Sequence, residues 1–502
     1  MTFSRPLASA LALGLAAGIA APAAAQTLNV AWSQDATGLD PHTQTAFASI
    51  RLLELLYEPL VRLGPNLEIQ PAVAESWEFS EDATTLTFNL DPDATFHDGS
   101  PVTAADVKAS FERILDEATG ASARANYTSI TAIETPDDQT VVFQLDGPNV
   151  PILNGMASIN AAIVPASAIE AGTVGTEVMG SGPFTLDART PNANASLTAF
   201  DGWHGGDIAY DGIEVSVLPD ETAILASLRA GQADFALLSD PLVATLVPRE
   251  DSLQLNTAPT LSYHVLQLNA SREPMGELAV RQAISCALDR QDILDAALLG
   301  EGEVTGPLTS PAYRNDPSTL FCYEQDQDRA RELLAEAGYE DGFSATIMAA
   351  NGEPPTAAAE AQLIQSQLAE VGIDLTIEMQ EMNVYIDSWL AGDFDMAVAL
   401  NGGRADPYTM YNRYWTEDGN LQGVANYIDD TLDNLMQEGR VETDEAVRKE
   451  IFAEFERHLA EMAPWVWLYT GYTYTAQREG VDGFEATPTG SLFGLVDVTL
   501  SE

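Results

Sequence analysis

Two hydrophobic periods take turns along this chain, and that alternation limits the fold more than any other feature. The run TTLTFNL (84–90) puts Leu86, Phe88 and Leu90 on one side, and TVVFQL (140–145) does the same with Val141, Phe143 and Leu145. An apolar side chain at every second residue is the strand period. Between these runs, TAADVKASFERILDEA (103–118) sets Val107, Phe111, Ile114 and Leu115 on one helical face. Thr103 with Asp106 three residues on is a capping-box start. Farther along, AEAQLIQSQLAEVG reads as a helix closed by Gly372 at C′, and it feeds the alternating strand IDLTIEM (373–379). The chain is therefore α/β.

Two distant passages echo each other. TAILASLRAGQADFALLSDP (222–241) and VYIDSWLAGDFDMAVALNGG (384–403) both read as helix, Ala-Gly, an acidic step, then a strand. Each follows an alternating strand, IEVSVL (213–218) in one case and IDLTIEM in the other, so each completes a βαβ unit. Any βαβ unit needs a glycine after its helix, so the echo alone is a weak sign of two related lobes. At 502 residues the chain exceeds what one core usually supports, and two or three domains are expected. No Gly/Ser or Pro-rich linker separates them and no tandem repeat is present, so the domains interleave.

The opening MTFSRPLASALALGLAAGIAAPAAAQ has one positive charge, an Ala/Leu-rich stretch and a small-residue end at Ala23–Ala25. This pattern predicts a signal peptide over 1–25 with the mature chain starting at Gln26, and hence export. A membrane anchor would need ~20 apolar residues, and this shorter run contains Pro22. No cysteine stands at the cleavage point, so no lipid attachment is expected. Export to an oxidising compartment permits one bridge between the only two cysteines, Cys286 in a helical pattern and Cys322 in a loop; two separate buried thiols are the alternative.

Charge narrows the partners. With 22 Lys+Arg against 76 Asp+Glu the formal net charge is −54. Such a surface repels nucleic acid and anionic headgroups. The acids are scattered and 46% of residues are hydrophobic, so this is no disordered acidic tail. Attraction of cationic ligands is one reading; solubility in a salty medium, where screening makes the repulsion cheap, is the favoured one.

One turn stands out against this background. NGGRADPYTM (401–410) follows the strand DFDMAVAL at its carboxyl end, where ligands bind in open α/β sheets. Gly403 permits close approach of backbone, and Arg404 is suited to a bidentate contact with a carboxylate. A solvated surface arginine is the competing reading. HExxH, G-x-S-x-G, a P-loop and a strand-linked G-x-G-x-x-G are all absent, and the five histidines have no metal-ligand spacing. Pro183 in GSGPF forbids the helix start of a phosphate loop. An enzyme reading gains no positive support.

Long collinear segments carry a resemblance. GLDPHTQT (38–45), LLYEPLVRL (55–63), PAVAESWEFSEDATTLTFNLDPDATFHDGSPVTAADVKASFER (71–113), GSGPFTL (180–186), LNASREPMGELAVRQAISCALDR (268–290), ARELLAEAGY (330–339), GDFDMAV (392–398), ANYIDDTLDNLM (425–436) and FERHLAEMAPWVWLY (455–469) follow one another in family order. Over essentially the whole mature chain the sequence resembles the solute-binding proteins of ABC importers in the dipeptide, oligopeptide and nickel group. The resemblance implies a two-lobe, periplasmic-binding-protein type II fold of the large three-domain kind. Lobe I would comprise 26–60, 181–265 and 472–502, with 61–180 as an inserted subdomain, and lobe II would comprise 266–471. Crossovers near 266–270 and 471–475 would form the hinge.

The same resemblance implies a monomeric periplasmic receptor of Gram-negative type, without cofactor or catalysis. It would close on a peptide or peptide-like solute and deliver it to an ABC-transporter permease. An opine, a glutathione-like conjugate or an oligosaccharide is the alternative cargo; a secreted carboxylate-dependent hydrolase is the remote one. In peptide-binding members an acidic residue three positions before the Asp-Pro step of this loop holds the ligand's amino terminus. Here that place is Gly403, counted back from Asp406, which puts an amine anchor in doubt and points to a carboxylate anchor on Arg404. Nickel use is disfavoured because this loop has no histidine. Gly403 and Asp406 in the same loop, and Phe47 and Gln44 after GLDPH, are further candidates for the ligand site. Tyr127, Trp415 and Tyr263 are others, with core packing an equal reading for the aromatics.

Overall fold

The computed structural model describes residues 26–351, 354–417, 419–427 and 429–501. The signal-peptide segment 1–25 lies outside the described residues. The α/β reading holds, and the lobes are built alike. In the first lobe the strand Thr27–Trp32 lies between Gly212–Val217 and Phe235–Leu238 and runs parallel to both. In the second, Phe343–Ala350 lies between Ile373–Gln380 and Met396–Asn401, again parallel to both. Each outer pair is joined by one helix, Glu221–Arg229 or Met382–Ala391, so the echoed passages are the same crossover in two lobes.

The shared residues explain why the sequences match. Gly231 (φ 68°) and Gly392 (φ 64°) take the left-handed conformation that releases the chain from each helix. Asp234 then accepts from Asn29 N at 3.0 Å on the middle strand and faces Arg478 at 3.1 Å. Asp395 accepts from Thr346 N at 3.0 Å on the other middle strand and faces Arg272 at 3.3 Å. In both lobes one carboxylate ties the incoming strand to its neighbour.

A single strand, Trp465–Arg478, serves both lobes. Its first half pairs antiparallel with Tyr263–Leu268, and its second half with Leu253–Pro259 and Phe235–Leu238. The backbone passes from one set of strand pairings to the other at 259–263 and 470–472, two crossings along this long strand. Thr260 N donates to Gly471 O at 2.8 Å, and Thr470 Oγ1 donates to Ser262 O at 2.9 Å, so the two crossings are bonded to each other. The continuous apolar APWVWLY is buried strand, with Trp465 1% exposed.

The inserted segment forms its own four-stranded antiparallel sheet, in which Thr85–Leu90 pairs with Thr140–Leu145. Phe111 on the helix Ala104–Leu115 packs edge-on against Phe143 at 4.9 Å and Tyr127 at 5.3 Å. The capping box forms: Thr103 N donates to Asp106 Oδ2 at 3.0 Å. The helix ends before 118 because Asp116 leaves helical geometry and caps a short 3-10 turn that Gly120 closes at φ 66°. The helix Ala357–Ala369 likewise stops early, at cap residue Glu370, so Gly372 (φ 92°) falls one position beyond C′. Cys286, buried in the helix Leu278–Ala287, is bonded to Cys322.

Candidate functional site

The loop bearing Arg404 is fixed at both ends. Upstream, a Cβ on Gly403 would lie 1.8 Å from Leu261 O, so only glycine lets the loop press onto the crossing segment 259–263. Downstream, Asp406 is fully buried and starts the helix Pro407–Trp415: its Oδ1 accepts from Thr409 N at 3.0 Å, and Pro407 fills the first helical position. Its Oδ2 lies 2.5 Å from Arg448 Nη2, a contact poorly angled for a hydrogen bond but strongly attractive in charge. Arg448 is itself held by donating from Nε to Gly439 O at 2.7 Å. Asp406 is thus the post on which the loop stands.

Between these two anchors Arg404 is exposed, and among the described residues its guanidinium has neither an ion pair nor a hydrogen bond. Most other cations of the chain are occupied, Arg113 by Asp40, Arg189 by Asp35 and Arg314 by Glu303 among them. An arginine left unpaired amid 76 acids, on a loop with fixed ends, can offer both terminal nitrogens to an anion with little ordering cost.

The other expected residues fall into two groups. Tyr127, Tyr263 and Trp415 are core. Tyr127 is fully buried and donates to Gly155 O at 2.6 Å. Tyr263 is fully buried beside Tyr411, and Trp415 packs edge-on against Trp465 at 5.0 Å. Size and position made these aromatics visible in the sequence, but which face they turn inward depends on strands far away in the chain. Gln44 is half-buried and spends its amide locally, accepting from Thr37 Oγ1 at 3.0 Å and donating to Thr43 Oγ1 at 3.3 Å. Phe47 is 70% exposed and lines a cavity of about 230 Å³ in the first lobe, together with Trp32, Ser33, Arg51 and Ser239. The sequence reading missed Arg51 and Trp32; the scarcity of cations was the one signal available for Arg51.

Among the described residues no group of three or more His, Cys, Asp or Glu is placed to hold a metal ion, and no helix is long and apolar enough to cross a membrane. Two α/β lobes of like design, sharing one long strand, form the frame of a solute-capturing receptor. Residues 68–422 match the model of the bacterial extracellular solute-binding proteins, family 5, and the chain belongs to that family. It is 26% identical to the glutathione-binding protein GsiB of Escherichia coli (strain K12) over 499 residues, 95% of each chain. Among solved structures it is 30% identical to the binding protein AgaA of A. tumefaciens R10 in complex with agropinic acid, over 95% of this chain and 99% of that one, at a TM-score of 0.68. The murein tripeptide-binding protein MppA in its unliganded open form is only 21% identical, over 95% and 98%, yet superposes at 0.86.

Proposed function

We propose that this protein is the periplasmic receptor of an ABC importer for a peptide or peptide-like solute, and that Arg404 holds a carboxylate of that solute. The observation that carries the reading is Arg404 itself, exposed and unpaired on a loop fixed by Gly403 against Leu261 and by Asp406 against Arg448. Gly403 offers no acid for a peptide amine, so the ligand is oriented by its anionic end. Likeness to a glutathione-binding protein and to an agropinic acid complex supports peptide-like conjugates and opines beside plain peptides.

Closure would occur about the crossings 259–263 and 470–472, whose few backbone positions can absorb a lobe rotation. The more distant relative in sequence superposes better when it is open and unliganded, while AgaA with its ligand superposes less well. That contrast supports an open disposition of the lobes here and a closed one with ligand bound. The closed form would be presented to the permease as a monomer, after removal of residues 1–25, and the solute would leave chemically unchanged.

A thermal-shift screen of the mature protein tests this. The panel holds di- to pentapeptides, their N-acetylated and C-amidated forms, glutathione, opines and oligosaccharides. A ligand at a hundred times its Kd adds about 2.7 kcal/mol. N-acetylated peptides should stabilise the protein and C-amidated ones should not. The opposite pattern would remove Arg404 from the site.

A further inference from the structure

The two lobes repeat one device at the same topological place. In each, a parallel strand ends, a loop follows, and an Asp-Pro step starts a helix. The first lobe has Phe235–Leu238, Ser239 and Asp240 before Pro241–Ala244; the second has Met396–Asn401, the Arg404 loop and Asp406 before Pro407–Trp415. Asp240 caps its helix by accepting from Leu242 N at 2.8 Å, as Asp406 does from Thr409 N at 3.0 Å. Where the second lobe presents Arg404, the first has the cavity of about 230 Å³.

Residues that carry donors line this cavity. Trp32 is only 4% exposed, and among the described residues its indole N–H has no acceptor. A buried donor without a partner is costly, and Trp32 differs from Trp415 and Trp465, whose indole N–H groups also have no acceptor among the described residues, in lining a cavity. Arg51 donates from Nε to Gly490 O at 3.2 Å, which fixes the guanidinium, and it forms no ion pair among the described residues. Glu54, the cap residue of the same helix, accepts from the Ser491 hydroxyl at 2.7 Å and attracts Arg51 without forming an ion pair with it. Ser33 and Ser239 add hydroxyls, and the exposed Phe47 ring lies 5.8 Å from Arg51 Cζ.

We propose that this cavity is a second anion-binding position, and that the solute carries two carboxylates, one taken by Arg51 with the Trp32 N–H and the other by Arg404. The inference rests on the reading of Arg404 given above. The two cations flank the crossings. The Cβ site of Gly490, whose carbonyl holds Arg51, is 3.7 Å from Thr473 Cγ2, just past one crossing, and Gly403 presses on Leu261 in the other. Each lobe supplies one guanidinium, so a solute with both anions draws the lobes together more strongly than one with a single carboxylate. In a chain of net charge −54 the pair also offsets the repulsion a dianion would meet.

Titration calorimetry with glutathione, which has two carboxylates, and with its two monoesters tests the proposal; γ-glutamyl and aspartyl dipeptides run beside it. Each monoester of a binding dicarboxylate should bind about 10- to 100-fold more weakly than the diacid, the effect of losing one charge-assisted contact. Arg51→Gln should weaken the diacid by a similar factor and leave one monoester unchanged, while Arg404→Gln leaves the other unchanged. Monoesters that bind as tightly as the diacid overturn the proposal, as does a panel in which no dicarboxylate binds. If Arg51→Gln is silent and Arg404→Gln is not, the second position falls and the Arg404 reading stands; if both are silent, both fall. Should Arg51→Gln fail to fold, the ester comparison on the wild-type chain decides alone.

Discussion

The Arg404 loop is only as firm as the residues that hold it, and the most demanding of these is the buried pair Asp406–Arg448, at 0% and 3% exposure. Removing one partner strands the other charge away from water. Arg448→Met should therefore lower stability by about 3–5 kcal/mol, and chemical denaturation of the apo protein reads this directly. A loss under about 1 kcal/mol, the scale of an exposed pair, would show that the loop stands on something else. At this scale the sequence was legible in part. A lone arginine at a strand's carboxyl end could be singled out because cations are scarce. Asp406 was read as a ligand group, because nothing local reveals that Arg448, on a later helix, claims its carboxylate.

Single elements also join segments far apart in the chain. His204 reaches Glu58 at 3.1 Å through Nε2 and Asp91 at 3.1 Å through Nδ1, and Trp203 donates to Glu58 at 3.2 Å. Burial favours neutral His204, but the two carboxylates outweigh it and raise its pKa to about 9. The unfolded value is about 6.5. A raised folded pKa means the stabilisation is complete below about pH 6.5 and fades as pH climbs towards about 9. Melting curves of wild type and His204→Gln should therefore differ most near pH 6 and converge by about pH 9; parallel curves across that range would show a histidine that is neutral in the fold. Strands such as Thr85–Leu90 and Thr140–Leu145 and the helix Ala104–Leu115 were readable from period alone. Their ends were less so, since Asp116 and Glu370 break helices through caps and turns that hydrophobic spacing does not encode.

For the whole molecule, the alternating pattern and the echoed Ala-Gly-acid passages indicated two lobes, and the structure explains the echo by a shared crossover in which Asp234 and Asp395 tie neighbouring strands. The place near 259–263 where strand pairing switches does not show in the sequence, because Tyr263–Leu268, with His264 and Gln267 among apolar residues, has no clean alternation and would suit either lobe until its pairing with Trp465–Arg478 is seen. The large negative charge fits a surface kept soluble by repulsion. The most direct test of the account is a calorimetric titration of wild type and Arg404→Ala with the solute that best stabilises the protein. The account predicts one-to-one binding without turnover, weakened about 10- to 100-fold in the variant, at unchanged apo melting temperature. Equal affinity in the two proteins would contradict it and return Arg404 to the solvated surface.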